Sequence, residues 1–429
     1  MERRTFLMAA TVGSLALALP SLAGCGSGSS TQQAGGDLEY WLWQDDATDQ
    51  TWQQLAEQFN GLNKGFKVNL QIIPLAQYQD KLLTALSSGG GPDACRFKDW
   101  WLGQFVGQKA IASLDDRVKD WSGKDDVLTE LYRTGKVPGN DKLYMLPHQF
   151  VTLYMYYRKS YFKDAGLEAP RTHDDVLRAA EKLTDASKKR FGIDVRGGAG
   201  GQDQWAAWMF SGGARIVDDS GNVVLDDATA IAVNQQYLDL QTKLNAAPPG
   251  STTAAFAQVI ANFQGGQTGM LIHHTGSLGA LRAGLKDDLG VVPMPSKDPS
   301  DAKTLGSMSG NVVLQSSKKQ QQAFEWISWL ATKDPMVKIS TSKQGQLPVL
   351  KSAAADPYFA KDEAYKIAIA AQAGAQTWPA VKGTAAVANQ TWSPAIQGAF
   401  LNQSTSEQMM KKLAKDLKAD HACDHRQAR

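Results

Sequence analysis

Trp43, Asp45 and Asp46 stand together directly after the first predicted strand, at 38–43. Two carboxylates can accept hydrogen bonds from neighbouring hydroxyl groups, while an indole offers a flat apolar face. These residue types at one strand end therefore suit a ligand with a hydroxylated side and a C–H side, such as a sugar. A structural interpretation stays open beside this one: Trp43 would belong to the core, and the two aspartates would cap the following helix.

Similar combinations of aromatic and polar residues recur later in the chain. Trp100 follows the third predicted strand; since adjacent residues on an extended segment point to opposite faces, only one of Trp100 and Trp101 is expected to meet a ligand. Trp205 follows the Gly-rich segment 197–201, whose glycines would let the backbone approach a ligand, and we predict it to be the main stacking face. The remaining candidates for ligand contact are Gln149, Asp203, His274, Ser309, Gly310 and Trp378.

Metal binding and catalysis have less support in the sequence. His273 and His274 are neighbours on a predicted strand, so we expect their side chains on opposite faces, where they cannot hold one ion. No metal site and no cofactor is predicted. The chain contains no G-x-S-x-G, H-E-x-x-H or phosphate-binding glycine motif. A secreted carbohydrate-active enzyme stays open as an alternative, because two catalytic carboxylates need not be close in sequence.

Alternating strands and helices are expected to position these residues. Apolar spacing predicts strands at 38–43, 66–73 and 94–97, with helices at 51–62 and 78–86 between them. This alternation indicates an α/β fold with mainly parallel sheets flanked by helices, in which ligands bind at the carboxyl ends of the strands. Later strands are predicted at 151–157, 268–273, 289–292 and 311–315, and later helices at 174–184, 231–244, 254–263, 321–332 and 406–417.

The first 25 residues have the pattern of an export leader. Arg3 and Arg4 precede an apolar stretch at 6–22, and Leu22-Ala23-Gly24-Cys25 is a lipobox. We therefore predict a signal peptide at 1–24, a lipid on the thiol of Cys25 and a flexible tether at 25–37, which anchors the protein to the membrane outside the cytoplasm. The paired arginines also allow export by the twin-arginine route.

Length and composition narrow the classes of function. With 429 residues the chain is long enough for two domains. Its formal net charge of +2 gives no argument for a nucleic-acid partner. Twelve tryptophans, some of them at strand ends and in Gly-rich loops, favour a flat and partly apolar ligand.

Six motifs in sequence order resemble those of the extracellular solute-binding proteins, family 1. They are Gly91-Pro92-Asp93-Ala94; Tyr144-Met145-Leu146-Pro147 with Leu153–Lys159 and Phe162–Leu167; Gly266–Ile272; Gly310–Leu314; Ala323–Ile327; and Gln346-Leu347-Pro348-Val349. The resemblance covers roughly residues 38–418, and within the family the chain is similar to the maltose-binding lipoproteins.

The resemblance implies a two-lobe, periplasmic-binding-protein-like fold of type II, with the ligand in the cleft between the lobes. One lobe would comprise 38–147 and 296–344, the other 148–295 and 345–420, with a tail at 421–429. Its implied function is to capture a carbohydrate, expected to be an oligosaccharide, and to deliver it to the permease of an ABC importer. The protein itself is expected to be a monomer. A surface lipoprotein that senses or adheres through the same cleft is the other alternative.

The chain departs from this family at the strand that contains Met270. An aromatic motif often follows that strand, whereas here it leads into His274-Thr275-Gly276. Trp205 or Trp378 is therefore expected to supply the stacking face. For Gln149, at the first crossover between lobes, a purely structural hydrogen-bonding role is the alternative to ligand contact.

Overall fold

A computed structural model describes residues 36–44, 48–218, 220–342, 345–380 and 383–427, without the side chains of Ala76, Asp301, Asn389 and residues 419–427. The predicted signal peptide, Cys25 and nearly all of the tether lie outside the described residues, and so do Asp45 and Asp46. Within the described part of the chain, no helix combines the length and the apolar character needed to cross a bilayer.

The described residues contain nine strands in one connected arrangement. Their order is β2-β1-β3-β8-β4-β6-β5, and β7 and β9 also pair with β4. The strands are β1 (Leu38–Leu42), β2 (Val68–Ile72), β3 (Ala94–Lys98), β4 (Leu146–Arg158), β5 (Phe191–Asp194), β6 (Thr268–His274), β7 (Leu289–Val292), β8 (Gly306–Val313) and β9 (Leu347–Pro348).

The 13-residue strand β4 connects two groups of strands. Up to Thr152 it pairs with β8 and β9, and from Leu153 it pairs with β6 and β7. We call the first group, with β1, β2 and β3, the β1 side, and the second group, with β5, the β5 side. The strand begins before the predicted 151–157, since the register shift between Pro147 and Gln149 accommodates a proline that cannot donate to the ladder.

The α/β prediction is confirmed, but parallel pairing is confined to the outer strands. β1 pairs in parallel with β2 and β3, and β5 pairs in parallel with β6. The pairings of β8 with β3 and of β4 with β6, β7, β8 and β9 are antiparallel. The sequence pattern located the later strands, β4 and β8 among them, but it gave no sign that they run antiparallel to their neighbours.

Helices cover both sides of these strands. They are α1 (Thr51–Asn60), α2 (Leu75–Ser87), α3 (Leu102–Gly107), α4 (Asp115–Lys119), α5 (Lys159–Asp164), α6 (His173–Leu183), α7 (Gly201–Ser211), α8 (Ala228–Thr242), α9 (Phe256–Gln264), α10 (Leu278–Leu285), α11 (Gln320–Leu330), α12 (Lys333–Ser340), α13 (Lys351–Ala354), α14 (Pro357–Ala360), α15 (Glu363–Gln372), α16 (Thr384–Ala386), α17 (Trp392–Phe400) and α18 (Ser406–Gln427).

Most predicted helices are confirmed to within a few residues. The capping box of Thr172 and Asp175 is present at the start of α6. A second capping box forms between Thr405 and Gln408 at the start of α18, and this helix continues to Gln427, beyond the predicted end at 417. The buried helix α7 was not predicted, because it starts in glycines and is apolar on several faces, which removes the amphipathic signal.

The carboxylate of Asp194 connects β5 to α9 and to the segment that precedes this helix. Asp194 ends β5 and is buried; its two carboxylate oxygens accept hydrogen bonds from Asn262 Nδ2 at 2.8 Å and Ser251 Oγ at 3.2 Å. Burial raises the pKa of Asp194 to about 7. The backbone N–H groups of Gly197 and Gly198 donate hydrogen bonds to the carbonyl oxygens of Ser251 and Ala254. The loop after β5 is thereby attached to the segment before α9.

We predict that Asp194→Asn gains stability relative to the wild type as the pH rises. The folded-state pKa of about 7 lies above the unfolded value of about 4, so the favourable contribution of the protonated Asp194 is lost as the pH rises through that window. Asparagine keeps both hydrogen bonds without charge. The difference in unfolding free energy between variant and wild type should therefore shift by at most ~4 kcal/mol between pH 4 and pH 8.

Urea unfolding at several pH values measures this difference. Asp185→Asn is the matched control, because hydrogen bonds from Ser187 and Lys188 lower the pKa of the exposed Asp185 to about 2. Its difference from the wild type should stay constant above pH 5. A pH-independent difference for Asp194→Asn would contradict the prediction.

Candidate ligand-binding site

The carboxylate of Asp99 lies at the carboxyl end of β3. A short 3₁₀ turn, Asp99–Trp101, follows that strand, and within it Asp99 is 3% exposed. Its two oxygens accept hydrogen bonds from the backbone N–H groups of Trp100, at 3.0 Å, and Met308, at 3.3 Å. Burial raises the pKa of Asp99 to about 7. Sequence reasoning selected Trp100 here and passed over Asp99.

A second carboxylate from the β5 side lies near Asp99. Asp203, in the first turn of α7, accepts a hydrogen bond from Trp378 Nε1 at 3.0 Å. Burial raises the pKa of Asp203, while the charges of Lys98 and Arg196 lower it, and the charge of Asp203 in turn raises the pKa of Asp99. Charged groups from the ends of β3 and β5 and from the start of α7 thus interact electrostatically, and we call this group the polar junction (Lys98, Asp99, Arg196 and Asp203).

Trp100 belongs to the boundary between the two sides. Its partly buried indole packs edge-on against Trp101 of the β1 side, with a centroid distance of 5.6 Å, and against the apolar cluster that contains Trp205 and Trp378. The 3₁₀ turn that carries it lies against α16. Of the predicted residues, Trp100, Asp203 and Trp378 are therefore brought together around the polar junction.

Gln149 and Ser309 lie next to each other beside the end of β3. Ser309 is opposite Lys98 on one strand and opposite Gln149 on the other. Gln149 is fully buried, and within the described residues neither atom of its amide has a hydrogen-bond partner. An unpaired buried polar group costs about 1–3 kcal/mol, so a water molecule or a ligand hydroxyl at this position would be stabilising.

Gly310 has a packing role in this structure. It lies within β8, between Phe97 and Pro147 on the neighbouring strands. A Cβ at this position would lie 2.3 Å from Met145 Cγ and 2.7 Å from the carbonyl oxygen of Leu146. The absence of a side chain therefore makes room for β4.

Trp43 lies in the apolar core, which is the structural role that the sequence left open for it. The side chain is fully buried, and the Arg96 guanidinium carbon lies 4.2 Å from its ring centroid. Tyr78 and Trp101 pack edge-on against it, with centroid distances of 5.1 and 5.7 Å. An accessible indole face at the end of β1 is contradicted.

Trp205 also belongs to the core. It is 1% exposed, its Nε1 donates to Asn234 Oδ1 at 2.7 Å, and its ring stacks on that of Trp378 at 6.4 Å. The structure contradicts the expectation of an accessible stacking face here. The glycines before Trp205 allow close contact between backbone segments of the protein. Gly198 allows contact with Ala254, and the missing side chain of Gly201 leaves room for the backbone of Arg196.

A cavity of about 790 Å³ opens beside Asp99 and Trp378. Its lining combines charged side chains, among them Arg133 and Arg215, with the apolar surface of Phe210. This volume lies within the range of about 300–1,000 Å³ of small-molecule sites, and the mixed lining suits a ligand with polar and apolar sides.

The end of β6 carries an aromatic cluster that the sequence did not reveal. The ring centroids of His273 and His274 are only 4.4 Å apart, so the expectation of opposite faces is wrong; His274 is the last strand residue, and the chain turns at Thr275. Phe256 stacks on His274 with a centroid distance of 5.9 Å and is 44% exposed. Its spacing from Val259 and Phe263 places it in the apolar stripe of α9, so periodicity alone gives no sign that the ring is exposed.

Residues 44–337 match the family model of the bacterial extracellular solute-binding proteins. The chain belongs to this family. A putative binding protein of Brucella abortus is 26% identical over 86% of the chain and 88% of its own length. The erythritol/L-threitol-binding protein of Mycolicibacterium smegmatis is 25% identical over 79% of each chain.

Solved structures of solute-binding proteins have the same fold as this family member. A protein from Thermotoga lettingae, solved with bound α-D-tagatose, superimposes with a TM-score of 0.78 at 22% identity, covering 90% of this chain and all of the other. The fold predicted from the resemblance, type II of the periplasmic binding proteins, is confirmed.

Proposed function

We propose that this solute-binding protein captures a carbohydrate, either a sugar or a polyol, and that the polar junction forms the floor of its site. The observation that carries the proposal is the match to the erythritol/L-threitol-binding protein over 79% of both chains, together with membership of the family. A hydroxyl group both donates and accepts, so it can pair with the carboxylates of Asp99 and Asp203 and with the cations of Lys98 and Arg196.

In this proposal, the two lobes have the boundaries predicted from the sequence. Residues 38–147 and 296–344 form one lobe, 148–295 and 345–420 the other, and the ligand binds between them as they close. A division into two lobes is supported because β4 changes its partners between Thr152 and Leu153 and because the polar junction draws residues from both sides of that change. The change lies a few residues after the proposed boundary, and β9 pairs with the β1 side although the boundary assigns it to the second lobe.

In this proposal the ligand leaves the site chemically unchanged. The protein, which is a monomer, delivers it to the permease of an ABC importer. Asp99 accepts hydrogen bonds from two backbone N–H groups, and Asp203 accepts one from an indole. These hydrogen bonds orient both carboxylates as acceptors for the hydroxyl groups of a ligand. The rival, a secreted carbohydrate-active enzyme, predicts a cleaved or altered sugar after incubation.

Calorimetric titration with a panel of neutral sugars and polyols tests the proposal. We expect saturable binding at one site, because one polar junction serves one ligand. At a ligand concentration of about 100 Kd, the free energy of unfolding should rise by ~2.7 kcal/mol, which a thermal-shift measurement detects. The ligand should be recovered intact. Binding of peptides or inorganic anions alone would contradict the carbohydrate assignment.

We further propose that the mature protein begins at a lipidated Cys25 and is held outside the cytoplasm by that lipid. The lipobox and the glycine- and serine-rich residues after it support this. Mass spectrometry of protein purified from native membranes should find a lipid-modified cysteine as the first residue. An unmodified mature N-terminus at another residue would contradict it.

A further inference from the structure

We propose that Phe256 is the stacking face of the ligand site and that it selects the ring form of a sugar over an open-chain polyol. This inference rests on the proposed function, because it assigns a ligand class to the same site. Phe256 begins α9 and is 44% exposed. Three of the predicted stacking residues, Trp43, Trp205 and Trp378, are at most 3% exposed, so none of them offers an open face.

The surroundings of Phe256 combine an aromatic surface with a hydrogen-bond donor. The ring lies at 26° to the ring of His274, and the Arg196 guanidinium carbon is 5.9 Å from its centroid. Within the described residues, Arg196 Nε is buried and has no hydrogen-bond partner. A buried unpaired N–H group beside an exposed aromatic ring is satisfied when a ligand places a hydroxyl there.

Phe256 also borders the polar junction. Arg196, which lies beside the ring, interacts electrostatically with Asp203. Asp203 in turn interacts electrostatically with Lys98 and Asp99 on the β1 side. The turn after His274 also approaches the segment before β9, since a Cβ on Gly345 would lie 3.2 Å from Gly276 Cα. A ligand beside Arg196 would therefore contact the ring of Phe256 and one member of the polar junction together.

Hydrogen bonds on both sides of Phe256 hold the segment that carries its ring. Asp194 accepts hydrogen bonds from Ser251 and Asn262, which lie on either side of Phe256 in the sequence. The backbone N–H of Gly198 donates to Ala254 at 3.0 Å. Because this segment is ordered before the ligand arrives, less conformational entropy is lost on binding.

A fixed aromatic ring favours a closed sugar ring for two physical reasons. The C–H bonds on one side of a sugar ring form a flat surface with partial positive charge, which complements the negative face of the aromatic π-system. An open-chain polyol has no such preformed surface, and binding must also freeze its rotatable bonds.

Calorimetry with monosaccharides and disaccharides, each paired with its reduced alditol, tests the inference. We expect the tightest ligand to be a ring sugar and its alditol to bind at least about tenfold more weakly. Phe256→Ala should weaken binding of the ring sugar about ten- to a hundredfold and remove the preference over the alditol. Phe256→Tyr keeps the ring and should stay within about threefold of the wild type.

Two further variants separate stacking from other effects. Phe256→Leu keeps apolar surface without the aromatic ring and should behave like Phe256→Ala. Leu401→Ala removes another exposed apolar side chain, 57% exposed, and should leave affinity unchanged. The melting temperature of every variant shows that it is folded.

The outcomes distinguish this inference from the proposed function. An alditol as the tightest ligand would overturn the inference and leave the proposed function standing. The same holds if Phe256→Ala, or Phe256→Leu, binds the ring sugar as tightly as the wild type. If the wild type binds neither sugars nor alditols, both proposals are overturned.

Discussion

The continuous hydrogen bonding along β4 is the constraint on which the arrangement of the molecule depends. One strand of 13 residues serves two groups of partners, with β8 and β9 on its first half and β6 and β7 on its second. The apolar core follows the same strand, since Phe150 and Tyr154 belong to one cluster that also contains Trp43 and Leu271. The ends of β3, β5 and β6 meet because this shared strand fixes the two sides against each other.

Buried charge is the second consequence of this arrangement. Asp99 and Asp203 are carboxylates from the two sides, and burial raises the pKa of each. Removing such groups from water is costly unless cations and hydrogen-bond donors surround them. Lys98 and Arg196 supply the cations, while backbone N–H groups and an indole supply the donors. A hydroxylated ligand adds further partners of the kind that these groups require, which links the electrostatics to the proposed function.

The sequence predicted the α/β class and most elements because each rests on local periodicity and on the motifs of the family. It also placed Trp100, Asp203 and Trp378 at the region where the two sides meet. It could not separate an indole in the core from an indole in a cleft, because both follow strands and glycines; Trp43 and Trp205 are the examples. Phe256 was missed because its position in the apolar stripe of α9 is typical of a buried residue, whereas its ring is exposed. Burial depends on contacts between distant segments, such as Gly201 with Trp392, which no local pattern reports.

The central claim is that segments from both sides of β4 form one ligand site. Amide hydrogen exchange with and without a saturating sugar tests this most directly, because it reports protection residue by residue. The account predicts slower exchange in three segments at once: Lys98–Trp101 after β3, Arg196–Asp203 before and within α7, and the start of α9 at Phe256. Protection confined to one side of β4, or exchange unchanged in all three segments while calorimetry shows saturation, would contradict it.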